Sequence, residues 1–169
     1  MADADPQTLA RTLRDYAGFA QRLAGSHEAN PEVARDLAQD ILVAIWRAWP
    51  AFRGQCSERT YVARIAQHRI ATHISRAVRT PAHGPLSDEL IAAGPGPEEI
   101  AIRHDERERL TAAVRRLPLA LREVAVLMLE GFTPAEIAAT LGISVNAVAI
   151  RGTRARDALR VVLEDKSHV

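Results

Sequence analysis

Arginine supplies nearly all the positive charge of this chain, since Lys166 is its only lysine. A guanidinium is a planar fork that matches phosphate oxygens and the edge of guanine, where an ammonium offers only a point charge. The arginines are grouped. Arg47, Arg53, Arg59, Arg64, Arg69, Arg76 and Arg79 stand between Ile45 and Arg79 against one acid, Glu58. Arg151, Arg154, Arg156 and Arg160 stand between Val145 and Arg160 against Asp157 alone. Between these blocks, Thr80 to Arg109 holds seven acids and three arginines. A formal net charge of +1 therefore conceals two basic blocks around an acidic one, a distribution suited to nucleic acid. Solvated helix faces would give the same counts, so the elements that carry the arginines must decide.

Those elements read as helices. Val33, Leu37, Ile41, Ile45 and Ala48 recur at three- and four-residue steps and line one face. Asn30 and Pro31 supply a cap and a first-turn proline, and Pro50 closes the run. The stretch PAFRGQCSE reads as a loop. A second helix turns Val62, Ile65, Ala66, Ile70 and Ile74 inward, and a less regular one, Thr8 to Ala24, precedes both. From Thr80 to Pro97, four prolines and three glycines break any long helix and mark an interdomain linker. A short helix starts near Glu98. Leu110, Val114 and Leu117 then share a face up to Pro118, and Leu121, Val124, Leu127 and Met128 continue on a helix that Gly131 ends. Nothing alternates with period two over a useful length, so no sheet is expected. The expected fold is all-α: two small helical domains, 1–79 and 109–165, joined by a flexible linker over 80–108.

The segment PAEIAATLGISVNAVAIRGTRAR has the spacing of a helix-turn-helix. Thr133 caps a helix opening on Pro134 and Glu136, with Ile137, Ala138 and Leu141 inward. Ala138 must be small where the second helix crosses. Gly142 stands where the tight turn needs a positive backbone angle. Ile143 plugs the core, Ser144 caps the next helix, and Val148 anchors it. In such a motif the second helix enters the major groove. With Val148, Ala155 and Leu159 facing the core, Ile150, Thr153 and Arg154 point outward. Arginines near the groove reach base edges or phosphate, and those further along meet phosphate only.

Other classes find little support. The polar N-terminus lacks the apolar segment of a signal peptide, and no run approaches the roughly 20 apolar residues of a membrane span. The chain is expected to remain in the cytoplasm. One cysteine, Cys56, rules out an internal disulfide framework and a multi-cysteine zinc site. No Ser/His/Asp order, Walker motif or H-E-x-x-H occurs, and His68 and His73 are five apart, a poor spacing for a metal pair. No catalytic residues, metal or cofactor are expected.

Two stretches together resemble one family. DLAQDILVAIWRAWPAFRGQCSERTYVARIAQHRIATHISR, residues 36–76, is similar to the promoter-melting domain of extracytoplasmic-function sigma factors: an acidic D-L-x-Q-D/E helix, an F-R-G loop, and a helix containing R-I-A. RRLPLALREVAVLMLEGFTPAEIAATLGISVNAVAIRGTRAR, residues 115–156, is similar to their upstream-element-binding domain, with L-P-x-x-x-R-E-V, E-I-A, L-G-I-S and R-A-R. The resemblance implies an alternative sigma factor that binds core RNA polymerase, recognises promoter DNA and initiates transcription, under the control of an anti-sigma factor that could also hold it at the membrane. It assigns polymerase docking to Asp36, Gln39 and Asp40. It assigns downstream-element recognition and melting to Phe52, Arg53, Gly54, Tyr61, Arg64, His68 and Arg69. Phe52 to Gly54, with the following Gln55 to Ser57, match the loop that captures an unstacked base. Arg64, Arg69 and Arg76 are suited to the backbone of the opened strand. Upstream contacts fall to Ser144, Asn146, Ile150, Arg151, Thr153, Arg154 and Arg156.

The chain departs from the family where a tryptophan is usual near Tyr61 and an asparagine at His68. In the recognition helix Ala149 replaces a basic residue, Ile150 a small polar one and Gly152 a leucine. A glycine within a helix costs about 1 kcal/mol relative to alanine. An ordinary helix-turn-helix regulator, with a sensor or dimerisation module in front, is the alternative reading. It would bind duplex DNA without polymerase.

Overall fold

Four helices start where a short capping side chain stands, at Asn30, Ser57, Thr133 and Ser144. The computed structural model describes residues 6–79 and 98–165, with side chains over 9–78 and 105–164. The linker stretch 80–97, with part of the acidic block, lies outside the described residues. Asn30 accepts from the amides of Glu32 and Val33, and Pro31 opens the helix α2, Pro31–Ala48. Before it runs α1, Pro6–Gly25, and after it a single 3-10 turn, Trp49–Ala51, where Pro50 was expected to end the helix. Helix α3 is Glu58–Arg79. The helix expected to start near Glu98 does so and extends to Arg115 as α4, followed by α5, Leu119–Leu129. Next come α6, Pro134–Leu141, and α7, Val145–Asp165. There is no strand among the described residues, so the architecture is all-α.

The apolar spacings select the buried faces. Leu37, Ile41 and Ile45 of α2 pack against Val62, Ala66 and Ile70 of α3, with Leu23 of α1 beside them, all buried. Val114, Val124, Leu127 and Ile137 form the interior of the second half. These two interiors meet. Phe132, in the turn between α5 and α6, is 6% exposed, and its ring centre lies 6.0 Å from that of Phe19 on α1. On α3, the Arg59 guanidinium sits 4.0 Å over the Phe132 ring. Burying such a ring is worth about 1.5–3 kcal/mol, with more from the cation above it. The two helical halves therefore share one continuous core.

Gly152 finds its reason here. It is buried on α7, and a Cβ added to it would lie 3.0 Å from the Met128 Sδ of α5. The methionine side chain occupies the space that a side chain at 152 would need. Gly152→Leu is expected to destabilise the chain by about 1–3 kcal/mol through overpacking. Adding Met128→Ala should recover most of that loss. Thermal unfolding of the two single variants and the double variant measures the coupling, and strict additivity would show that the two positions do not compete for space.

Candidate nucleic-acid interface

The helix-turn-helix is built as its capping residues dictate. The Thr133 hydroxyl accepts from the Glu136 amide while the Glu136 carboxylate accepts from the Thr133 amide, at 3.3 and 2.8 Å. The bond from the Thr133 amide, joined by one from its hydroxyl, holds the Glu136 carboxyl below its ordinary pKa. Gly142 ends α6 at φ 67°, the left-handed geometry that a side chain resists. Ser144 then caps α7, accepting from the Ala147 amide at 3.1 Å. Ala138, Val148 and Ala155 are buried between the helices, and Leu159 packs at the edge of the core.

This leaves one face of α7 in solvent. Ser144, Asn146, Ile150, Thr153, Arg154 and Arg156 are exposed, with Ile150 at 46%. Arg151 differs: it is half-buried and faces Glu123 of α5. Burial pushes the Glu123 carboxyl up, and Arg151 and Arg122 draw it partly back down. Arg156 turns its Nε to the Gly152 carbonyl at 3.3 Å. Arg154 is exposed on the same face, one helical turn beyond Ile150.

The loop before α3 is held together by its own groups. The Phe52 ring stacks between Trp49, 5.6 Å away, and Tyr61, 4.8 Å away. Phe52 is half-buried, and the Tyr61 hydroxyl donates to the Ala48 carbonyl at 2.8 Å. Arg53 folds back on the Pro50 carbonyl at 2.6 Å, and Gln55 accepts from the Arg53 amide at 3.0 Å. Gly54 is exposed at the loop's tip. Phe52 and Tyr61 thus form a braced aromatic wall, and the loop is preorganised. Along α3, Arg64, His68 and Arg76 are exposed, while Arg69 is half-buried.

A third surface lies on α2. Asp36, Gln39 and Asp40 are exposed as the spacing requires, off the Leu37 and Ile41 face. Asp40 is paired with Arg69 of α3 at 3.1 Å, so the structure joins a residue assigned to docking with one assigned to DNA. Sequence reasoning missed two neighbours. Val43 is 44% exposed and Trp46 is 52% exposed, at three-residue steps beyond Asp40. A large apolar pair beside acids on an open helix face suits a protein partner. The signal was present in the spacing, because Val43 and Trp46 fall off the buried register of Leu37, Ile41 and Ile45.

The family model for Sigma-70 region 2 matches residues 10–80, and that for Sigma-70, region 4 matches residues 107–159. The RNA polymerase sigma factor CnrH of Cupriavidus metallidurans is 34% identical over 141 residues, covering 78% of this chain and 74% of the relative. The ECF RNA polymerase sigma factor ShbA of Streptomyces griseus is 32% identical over 136 residues, covering 76% and 71%. Among solved structures, the sigma factor RpoE from Bartonella quintana, in complex with the anti-sigma factor NepR, aligns with TM-score 0.74 at 20% identity, covering 92% of this chain and 96% of that one. CnrH in complex with the cytosolic domain of CnrY aligns with TM-score 0.69 at 24% identity, covering 96% and 91%. At these identities the two structures establish a common fold.

Proposed function

The chain belongs to the sigma-70 family of RNA polymerase sigma factors, in its extracytoplasmic-function group, and from that membership we propose how its residues divide the work. As an alternative sigma factor, the protein binds core RNA polymerase and takes it to promoter DNA. In our reading residues 1–79 dock on the polymerase and open the downstream element. Residues 109–165 read the upstream element, and 80–108 join them. Asp36, Gln39 and Asp40, extended by Val43 and Trp46, form the docking face. Phe52, Arg53, Gly54 and Tyr61 form the wall against which an unstacked base is held. Arg64, His68 and Arg69 hold the opened strand. Ser144, Asn146, Ile150, Thr153 and Arg154 face the upstream groove, with Arg151 and Arg156 at its margin. The observation that carries this reading is the presence, on one chain, of an open acidic and apolar helix face and an open arginine-bearing recognition helix.

An anti-sigma factor is the proposed regulator, as NepR is the anti-sigma factor bound to the solved RpoE. Such a partner, if membrane-borne, would hold the chain at the cytoplasmic face of the membrane. No helix among the described residues is long and apolar enough to cross one.

The test is in vitro transcription with purified core polymerase on fragments of the source genome, with start sites mapped. Discrete starts that require both core and this chain support the reading, and tight specific DNA binding without core would favour a simple regulator. Within that assay, Arg154→Ala is expected to cost about 1–3 kcal/mol of promoter recognition if it reads a base edge. A loss equal on all sequences, with a shallower salt dependence, would assign Arg154 to phosphate instead.

A further inference from the structure

The outward side of α7 is apolar where it would meet base edges. Asn146, Ala149, Ile150 and Thr153 follow one another at steps of three, one and three residues, so they form one stripe, and all four are exposed. The stripe is about 10 Å long at ~1.5 Å per residue, the length of about three base pairs at ~3.4 Å each. Val145, one turn ahead of Ala149, is exposed as well. The core takes the opposite side of the helix, through Val148, Gly152 and Ala155, so these apolar groups have no interior to return to.

Most of the hydrogen-bonding groups on this side are committed. The Thr153 hydroxyl donates to the Ala149 carbonyl at 3.1 Å, and the Ser144 hydroxyl oxygen accepts from the Ala147 amide at 3.1 Å. The Asn146 carboxamide is exposed and has no partner among the described residues. From Ser144 to Thr153 the one arginine is Arg151, which is half-buried and faces Glu123. The stripe therefore offers one free carboxamide and an apolar surface, without a guanidinium. Arg154 follows at its far end.

The major groove distinguishes base pairs by what each edge shows. Guanine shows two acceptors, cytosine a donor, adenine an acceptor and a donor, and thymine an acceptor and a methyl group. A carboxamide matches adenine, because its Nδ2 donates to N7 while its Oδ1 accepts from N6. An aliphatic side chain matches only the thymine methyl. Laid on guanine or cytosine it would cover an acceptor or a donor and leave that group without a partner, which is costly. We propose that α7 specifies a short run of A·T pairs, in which Asn146 reads an adenine and Ala149, Ile150 and the Thr153 methyl group pack on thymine methyls. The proposal rests on the placement of α7 in the upstream groove and adds to it which bases are read. Arg154 acts at the border of this run.

Selection from duplex DNA with a long random insert tests the proposal, using the full chain both with core polymerase and alone. Dependence on core judges the sigma-factor reading, whereas the sequences retained in either pool judge the helix. The unmodified chain is compared with Asn146→Ala and Ile150→Ala, both at exposed positions where truncation leaves the core of the fold intact. The positions whose base preference relaxes in either variant are expected to be neighbouring A·T pairs. G·C pairs at those positions, or no position that relaxes, overturns the proposal.

A second measurement isolates the methyl groups. Deoxyuridine in place of thymine at the Ile150-dependent positions removes the methyl and keeps the base pairing. Each replacement is expected to weaken binding by the unmodified chain about fourfold, the effect of uncovering one buried carbon group, and to leave Ile150→Ala almost unaffected. Equal sensitivity of the two chains, or none in either, overturns the apolar contact.

Discussion

Phe52→Ala is expected to leave promoter recruitment intact and to reduce strand opening on duplex templates about a hundredfold, the equivalent of the few kcal/mol that holding one unstacked base supplies. A template carrying a pre-melted bubble should restore initiation, because the step that the ring assists is then already complete. Permanganate reactivity of unpaired thymines, on duplex and bubble templates, measures the defect directly. The structure adds a control. Phe52 is braced between Trp49 and Tyr61, so its truncation also removes aromatic contacts, each worth about 0.5–1.5 kcal/mol beyond area burial. Phe52→Leu retains most of the buried volume while removing the π face. If the leucine variant opens duplex DNA normally, the ring supports the loop and does not hold the base. If the bubble rescues Arg154→Ala as fully as Phe52→Ala, the division between a melting loop and a reading helix is wrong.

Asp40→Arg is expected to weaken core association by about 2–5 kcal/mol, the range for losing one partner of an interfacial charge pair. It should leave the fold almost unchanged. The carboxylate is 58% exposed, and its bond to Arg69 is a surface pair worth at most about 1 kcal/mol. Competition for limiting core polymerase measures the loss. Two companions separate docking from the internal pair. Asp40→Asn removes the charge without repulsion and should show a smaller defect. Arg69→Ala breaks the pair from the other side and should bind core normally while failing to hold the opened strand. Unchanged transcription by Asp40→Arg would remove Asp40 from the docking face.

The local parts of this molecule were legible because their causes are local. Asn30 and Thr133 start helices by accepting amides two or three residues on, and Gly142 ends one by its own backbone angle. Any reader of short-range spacing meets those signals. The exposure of Asp36, Gln39 and Asp40, and of Ile150, Thr153 and Arg154, follows from the same 3.6-residue period. What stayed hidden depends on partners far along the chain. Gly152 looks like a defect until Met128 is seen against it. Nothing in the spacing around Arg22 signals its partner, the Glu130 carboxylate 108 residues away. Phe52 reads as part of a base-capturing loop, and only the return of α3 places Tyr61 across it. Spacing tells which residues leave a helix face, and packing tells what they find there.

The contact between Phe19 and Phe132 has a genetic consequence. Because the two rings belong to one core, a lesion in the helix-turn-helix is not confined to that half, and its effect can be offset from across the junction. Second-site suppressors of a weakened α5–α6 turn should therefore collect in α1 and α3, around Phe19, Arg22 and Arg59, as well as within the second half. Heritable variation at these positions would be read as a matched set, so that exchanging one half between relatives brings a mismatch at the junction along with the new specificity.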